Sequence, residues 1–530
     1  MLRDGNRYAI DGYYVACEEA WNAVWSCPGD RGLLAEAATL HADALAGFLE
    51  SACRQGRFTP QGIWIGSKTK PILVPIRPEA LPVAAGGIAS VAPQNQPQDR
   101  RITRRHVRDG FGLPVVVRLA ETDRRFAAER TSLAATAVLR FSMPGGENVL
   151  EKFAGPVARD HAAAVLDLAN PVEIAAVQIG PARPHLAADL TAPLLDLLAA
   201  KPKQSALLGF VQPFGNGSTQ PHLEILEPHQ PGRVPVVFIH GLASDEGTWF
   251  DMLNELRAWP VFHRRFEAWL YHYPTGASFM QSAAVLRGEL AAAIRTLDPE
   301  GRDPALRKMV LVGHSMGGLH AKLQVVSAGN DVWNGIATKP FDQVVLPAQM
   351  KAIVRNRYFF EPQPYVNRVV FIATPHRGSI LASLGVGRLA SLTVSQPAEI
   401  REIHDTALRL NPGMFKPEYA KSVPTTIDLL EPSSELLQTI EKLRPPCWVT
   451  THSIVGTGHH SLTGGYDDGV VSAASAHTTG AVSEVTVPAT HTKVHHHPRA
   501  IVEVERILLQ HLHENGLVGP GGPAAPPPTP

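Results

Sequence analysis

The sequence predicts a mostly parallel α/β domain preceded by a helical hairpin and a β-rich accessory domain. Three observations point there. After the linker-like stretch EPHQPGRVP (227–235), short apolar runs such as VVFI (236–239) and KMVLV (308–312) alternate with amphipathic stretches, the pattern of buried parallel strands joined by helices. Upstream of it, GIWIGSKTKPILVPIR (62–77) and TAVLRF (136–141) alternate with the period of two that half-buried strands show. And 530 residues exceed what one hydrophobic core usually organises, so more than one domain is expected.

In chain order, residues 1–60 read as an N-terminal helical segment. Leu33, Ala37, Leu40, Ala44 and Phe48 recur at spacings of three and four, and CPGDRG (27–32) breaks the pattern into a hairpin. Residues 61–225 form the accessory domain and close with a short helix in LTAPLLDLLAA (190–200), where Thr191 is the expected N-cap and Pro193 lies in the first turn. Residues 226–515 form the α/β domain. The tail 516–530 is rich in Pro and Gly and cannot bury enough apolar surface to order itself. Four cysteines, Cys17, Cys27, Cys53 and Cys447, are too sparse for a disulfide framework; free thiols are expected, with a Cys17–Cys53 or Cys27–Cys53 bridge as the alternative.

Lys and Arg number 49 and so do Asp and Glu, so no general electrostatic attraction to nucleic acid or an anionic membrane follows. No run of 18 apolar residues suggests a spanning helix, and MLRDGNRYAI lacks the apolar core of a signal peptide, so the default expectation is cytoplasmic.

Within the α/β domain, Gly313-His314-Ser315-Met316-Gly317 fits G-x-S-x-G, a pattern that arises by chance about once in five chains of this size. Its surroundings add meaning: KMVLV before it suits a buried strand and GGLHAKLQVV after it suits a helix, the setting of a strained turn that exposes a nucleophilic Ser315. The bland reading is an ordinary Gly-rich turn. VPVVFIHGLASDEGTW (234–249) supplies a second strand running into His240-Gly241-Leu242. There the Leu242 amide, with that of Met316, suits an oxyanion hole, Gly241 allows close backbone approach, and His240 suits support of the loop better than the role of base. Folds with this turn order their partners Ser, then Asp or Glu, then His. Asp467 and Asp468 follow the strand-like SIVG, and His491 follows EVTVP; His477 is the second choice for base. His495, His496 and His497 raise a metal reading, but they lack a partner pair at zinc spacing and lead into a helix near Pro498.

VFIHGLASDEGTW, VGHSMGG, FIATPHRGS, DDGVVS and HTKV, in that order, resemble bacterial α/β-hydrolase esterases and lipases, including those similar to the GPI-inositol deacylase-like lipases. The resemblance covers most of residues 226–513 and implies an α/β-hydrolase fold. It implies Ser315 as nucleophile, Asp468, the Asp directly before Gly-Val, as orienting acid, and His491 as base. It makes His376 and Arg377 structural, implies no metal or organic cofactor, and suggests the cell envelope as an alternative address. The implied activity is hydrolysis of carboxylic esters of small molecules or lipids, with peripheral membrane contact compatible with it. The rivals are an acyltransferase or polyester depolymerase on the same triad, and a catalytically silent binding module of this fold. The insertion 327–367, with its aromatic and aliphatic side chains, reads either as a lid over an acyl pocket or as helices packed on the sheet.

Overall fold

The computed structural model describes residues 9–67, 69–94, 99–120, 125–128, 130–142, 164–200, 220–379, 398–421, 423–460 and 465–517. The chain divides into two units, Met1–Pro202 with Arg257–His263, and Lys203–Leu256 with Arg264–Pro530. Most of the Pro/Gly-rich tail, 518–530, lies outside the described residues.

In the first unit, helices Ala9–Ser26 and Arg31–Arg54 are separated by a turn at 27–30, and the Asp30 side chain caps the second by accepting from Leu33 N. Their buried stripes, with Tyr14 and Trp21 on one and Ala44 and Phe48 on the other, share a core with Val74, Val117 and Leu139 of a sheet. Leu40 is exposed, however; the inward position is taken by His41, whose Nε2 lies 3.3 Å from the Leu139 carbonyl. A hydrophobicity pattern cannot foresee a buried histidine. The strands are β1 (Phe58–Thr59), β2 (Gly62–Ser67), β3 (Lys70–Glu79), β4 (Ile88–Pro93), β5 (Val107–Arg108), β6 (Leu113–Leu119), β7 (Ser132–Phe141), β8 (Ala164–Ala169) and β9 (Ala188–Asp189). Seven form one sheet in the order β1-β2-β3-β8-β7-β6-β4, antiparallel except for β3 with β8. Buried Asp167 accepts from Arg77 and Arg140, and buried Asp196 from Arg118 and Ser132, so neither carboxylate is left uncompensated. At the helix Ala192–Ala200, Asp189 Oδ1 accepts from Ala192 N at 3.0 Å, and the Thr191 hydroxyl accepts from His106 N at 2.9 Å. All four cysteines are free, Cys17 buried and the others exposed, so no bridge forms.

The second unit is built on β10 (His222–Ile225), β11 (Val234–Ile239), β12 (Phe266–His272), β13 (Met309–His314), β14 (Val366–Ile372), β15 (Thr450–Gly456), the short hairpin β16 (His459–His460) and β17 (Tyr466–Asp467), and β18 (Ser483–Val487). The main sheet runs β10-β12-β11-β13-β14-β15-β18, all parallel but for β10 at the edge. β10 thus belongs to this sheet although it precedes residue 226. β11, β12 and β13 are buried along their whole length, as both-face coverage by crossover helices such as Phe279–Leu297 requires. The insertion 327–367 holds the helices Asp331–Asn334 and Ala348–Tyr358, and a later excursion holds Ala398–Leu410 and Glu435–Lys442. Among the described residues, no helix is long and apolar enough to cross a membrane.

Non-glycine residues with positive φ concentrate at the carboxyl edge of this sheet. Ala243 (φ 51), Ser315 (φ 54) and Ala373 (φ 50) follow β11, β13 and β14, three neighbouring strands. Backbone strain of this kind persists only where the surroundings over-determine it, and it gathers at functional sites.

Candidate active site

Ser315 sits at the joint between β13 and the helix Met316–Lys322, shorter than the sequence pattern suggests. Its amide donates to Ile372 O at 2.8 Å, which pins the strained residue to β14. The neighbouring glycines are required by space: a Cβ on Gly317 would overlap the Ile239 carbonyl, and one on Gly313 would overlap the Gly317 backbone. The helix N-terminus lies directly beyond Ser315, where unpaired amides favour negative charge.

His491 reaches Ser315 from the loop after β18. Its Nε2 lies 2.9 Å from Ser315 Oγ and its Nδ1 lies 2.7 Å from Asp468 Oδ2. Both contacts are satisfied when Nδ1–H donates to Asp468 and Nε2 accepts from the hydroxyl. Asp468 is held in turn: its Oδ1 accepts from Val470 N at 2.9 Å and Val471 N at 2.7 Å, and its carbonyl accepts from His491 N at 2.9 Å. All three side chains are buried, at 7%, 8% and 2% exposure for Ser315, His491 and Asp468.

No family model and no curated protein matches the chain. Solved structures similar to it include the mature form of the Bacillus licheniformis lipase BlEst2, 17% identical over 54% of this chain and 97% of that one, with a TM-score of 0.33. The Staphylococcus hyicus lipase is 15% identical over 55% and 97%, with a TM-score of 0.35. A thermostable carboxyl esterase from Bacillus coagulans is 14% identical over 56% and 93%, with a TM-score of 0.30.

The loop after β11 abuts the serine. A Cβ added at Gly241 would stand 3.0 Å from Ser315 Cβ, so the backbone approaches as closely as a side chain would forbid. The Met316 amide occupies the first helical position, where no intrahelical acceptor exists, and Leu242 lies in the adjoining loop. His240 stacks on Tyr273 with ring centroids 4.3 Å apart, and its carbonyl accepts from the Tyr273 hydroxyl at 2.6 Å. The ring is therefore part of the loop's support.

The remaining candidates are placed elsewhere. Asp467 accepts from Gly469 N and faces His459, not His491. His477, the alternative base, is half-exposed and bonded to Glu484. Arg377 donates to Ala474 O and pairs with Glu441, while His376 is buried edge-on against Phe371. Burial drives the His376 imidazole far below its ordinary pKa, with the nearby Lys322 charge adding to the effect. Among the described residues, no group of three His, Cys, Asp or Glu side chains is arranged to hold a metal ion.

Two supporting residues, Tyr273 and Thr275, carry no sequence signal. Thr275 Oγ1 accepts from Ala243 N at 3.1 Å, so Tyr273 and Thr275, both just after β12, grip the loop after β11 at two points. His314 Nε2–H donates to the His491 carbonyl at 3.0 Å. Burial, then the His491 ring beside it, holds His314 well below its usual pKa and so neutral. His495 packs against His314 at 4.2 Å between centroids and pairs with Thr248 at 2.6 Å; burial keeps it neutral too. Of the tract that suggested metal ligands, His495 packs behind the candidate base, His496 lies 3.5 Å from Asp251, and His497 caps the last helix by accepting from Arg499 N.

Proposed function

We propose that this chain is a serine hydrolase that cleaves carboxylic esters through an acyl-enzyme. The observation that carries the reading is the buried hydrogen-bonded line from Asp468 through His491 to Ser315, at 2.7 and 2.9 Å. His491 Nε2 takes the Ser315 proton as Oγ attacks the ester carbonyl carbon. The resulting oxyanion accepts from the Leu242 and Met316 amides. Collapse breaks the bond to the alcohol oxygen, which leaves with the proton held on His491. A water then gives His491 its proton and attacks the acyl carbon, and the carboxylic acid departs as Ser315 recovers its hydrogen. Asp468 fixes the imidazole's tautomer by accepting from Nδ1–H. The motif series similar to GPI-inositol deacylase-like lipases favours a lipid ester as substrate.

A fluorophosphonate probe tests the reading. Wild type should label covalently and turn over chromogenic esters, while Ser315→Ala should do neither. Equal labelling of the two proteins would sink it.

A further inference from the structure

The last helix, Pro498–Glu514, is tied to the sheet of the second unit by a buried arginine as well as by apolar packing. Arg368 on β14 is 1% exposed, and its guanidinium donates in three directions. Nη1–H reaches His452 Nε2 on β15 at 2.5 Å, Nε–H reaches His511 Nδ1 on the helix at 3.2 Å, and Nη2–H reaches the Glu514 carboxylate. Both imidazoles are fully buried. None of these groups belongs to the candidate active site.

A guanidinium has no acceptor, so the ring nitrogens that face it must carry lone pairs. That fixes where each ring keeps its one proton. His452 Nδ1–H donates at 2.7 Å to the Oγ of Ser483, its register partner on β18. His511 Nε2–H donates at 2.8 Å to the Lys308 carbonyl, just ahead of β13. A second proton on either ring has to land on the nitrogen facing Arg368. There it sets N–H against N–H and one cation against another, in a place that water does not reach.

The charges around the cluster do not compensate. Arg506 donates to Ser483 Oγ at 3.2 Å beside His452, and the Lys308 charge acts on His511. Of the carboxylates, Glu503 accepts from Arg506 at 2.7 Å and from Ser483 at 3.1 Å, while Glu514 is half-exposed and engaged by Arg368 itself. Burial first, then the Arg368 charge, pushes His452 down to about 2 and His511 down to about 3. A folded-state pKa below the unfolded one means stabilisation that is complete above the unfolded value, about 6.5, and is lost as pH falls from there toward the folded one.

We infer that Arg368, His452 and His511 form an acid-sensitive latch, in which protonation of either imidazole breaks its bond to the buried guanidinium and releases the last helix from β14 and β15. The helix continues directly from the segment His491–His496, so its release loosens the chain that carries the candidate base. The latch itself does not depend on Ser315 being a nucleophile.

Hydrogen exchange of the full chain, read by mass spectrometry at pH 7.5 and pH 5.0 with each rate divided by its intrinsic value, tests it. In a released helix each imidazole regains a pKa of about 6.5, which at pH 5.0 favours release about thirtyfold per ring. Peptides of Pro498–Glu514 should therefore lose protection at least thirtyfold between the two conditions. At pH 5.0 they should also exchange at least tenfold faster than β13, which reports opening of the whole sheet. His452→Gln combined with His511→Asn puts an amide oxygen where each ring nitrogen accepted from Arg368 and removes both titrating groups, so the loss should shrink at least tenfold. Circular dichroism at pH 7.5 checks that this protein folds, and His511→Asn alone decides if it does not. Protection independent of pH in the wild type, an undiminished loss in the variant, or equal exchange of the helix and β13 at pH 5.0 would each overturn the inference.

Discussion

Replacing Asp468 by Asn tests the proposed catalytic line at its most constrained point. Oδ1 of Asp468 accepts from two backbone amides, at 2.9 and 2.7 Å, and an amide nitrogen placed there would face two donors. The Asn oxygen must therefore take that position, which leaves its NH₂ where Oδ2 stood, 2.7 Å from His491 Nδ1. An N–H aimed at Nδ1 demands a lone pair there, so the ring proton moves to Nε2 and points at Ser315 Oγ. The base then has no site for the serine proton. In a Ser-His-Asp triad this tautomer reversal costs about 10⁴ in kcat, or about 5.5 kcal/mol at 1.36 kcal/mol per decade. The assay is kcat on a chromogenic short-chain ester together with the rate of fluorophosphonate labelling, both expected to fall together while thermal stability is retained. Asp467→Asn, which alters a carboxylate turned toward His459, should leave kcat nearly unchanged. A loss below tenfold in Asp468→Asn, or an equal loss in Asp467→Asn, would refute the reasoning.

Three further outcomes are expected. Tyr273→Phe removes the hydroxyl that donates to the buried His240 carbonyl, so unfolding stability should drop by about 1 kcal/mol. Steady-state kinetics should show kcat falling about tenfold at constant KM, since the loop it steadies acts on the transition state. Gly317→Ala drives a methyl into the Ile239 carbonyl, and denaturant melts should show a loss of about 1–3 kcal/mol with labelling of Ser315 abolished. His229 is the pH-sensitive case. Burial opposes its charged form, but the Glu267 hydrogen bond and the Glu267 and Asp303 charges outweigh burial and raise its pKa. A raised pKa means stabilisation that is complete below the unfolded-state value and fades as pH climbs through the folded one. His229→Gln should therefore destabilise more at pH 5 than at pH 9 in chemical denaturation, and an equal effect at both would count against the ion pairs.

What the sequence made legible follows the length scale of each interaction. Strand alternation and the order of short motifs are local, so the sheet of the second unit and the residues Ser315, Asp468 and His491 are legible in the sequence. Between Asp467 and Asp468 the resemblance to esterases and lipases chose Asp468, and it is Asp468 that lies against His491. Contacts between distant segments left no local trace. Nothing around Tyr273 or Thr275 announces that they grip a loop 30 residues earlier, and nothing in HHH (495–497) distinguishes metal ligands from rings packed against Trp249 and His314. His41 failed for the opposite reason: it reads as polar, yet it is buried against a strand carbonyl. Hydrophobic periodicity registers side-chain chemistry averaged over proteins, whereas these residues are placed by one particular partner.

The strained residues Ala243, Ser315 and Ala373 sit where three parallel strands end almost level, with Ile239 opposite Gly313 and His314 opposite Ile372. The proposed catalytic geometry is in this sense a property of alignment. Side chains can be exchanged one at a time, but a slip of one residue between β11 and β13 would reverse every inward and outward face and scatter the serine, its amides and its flanking glycines at once. Substitution along that edge has little latitude, because there a single backbone register carries all the positions together.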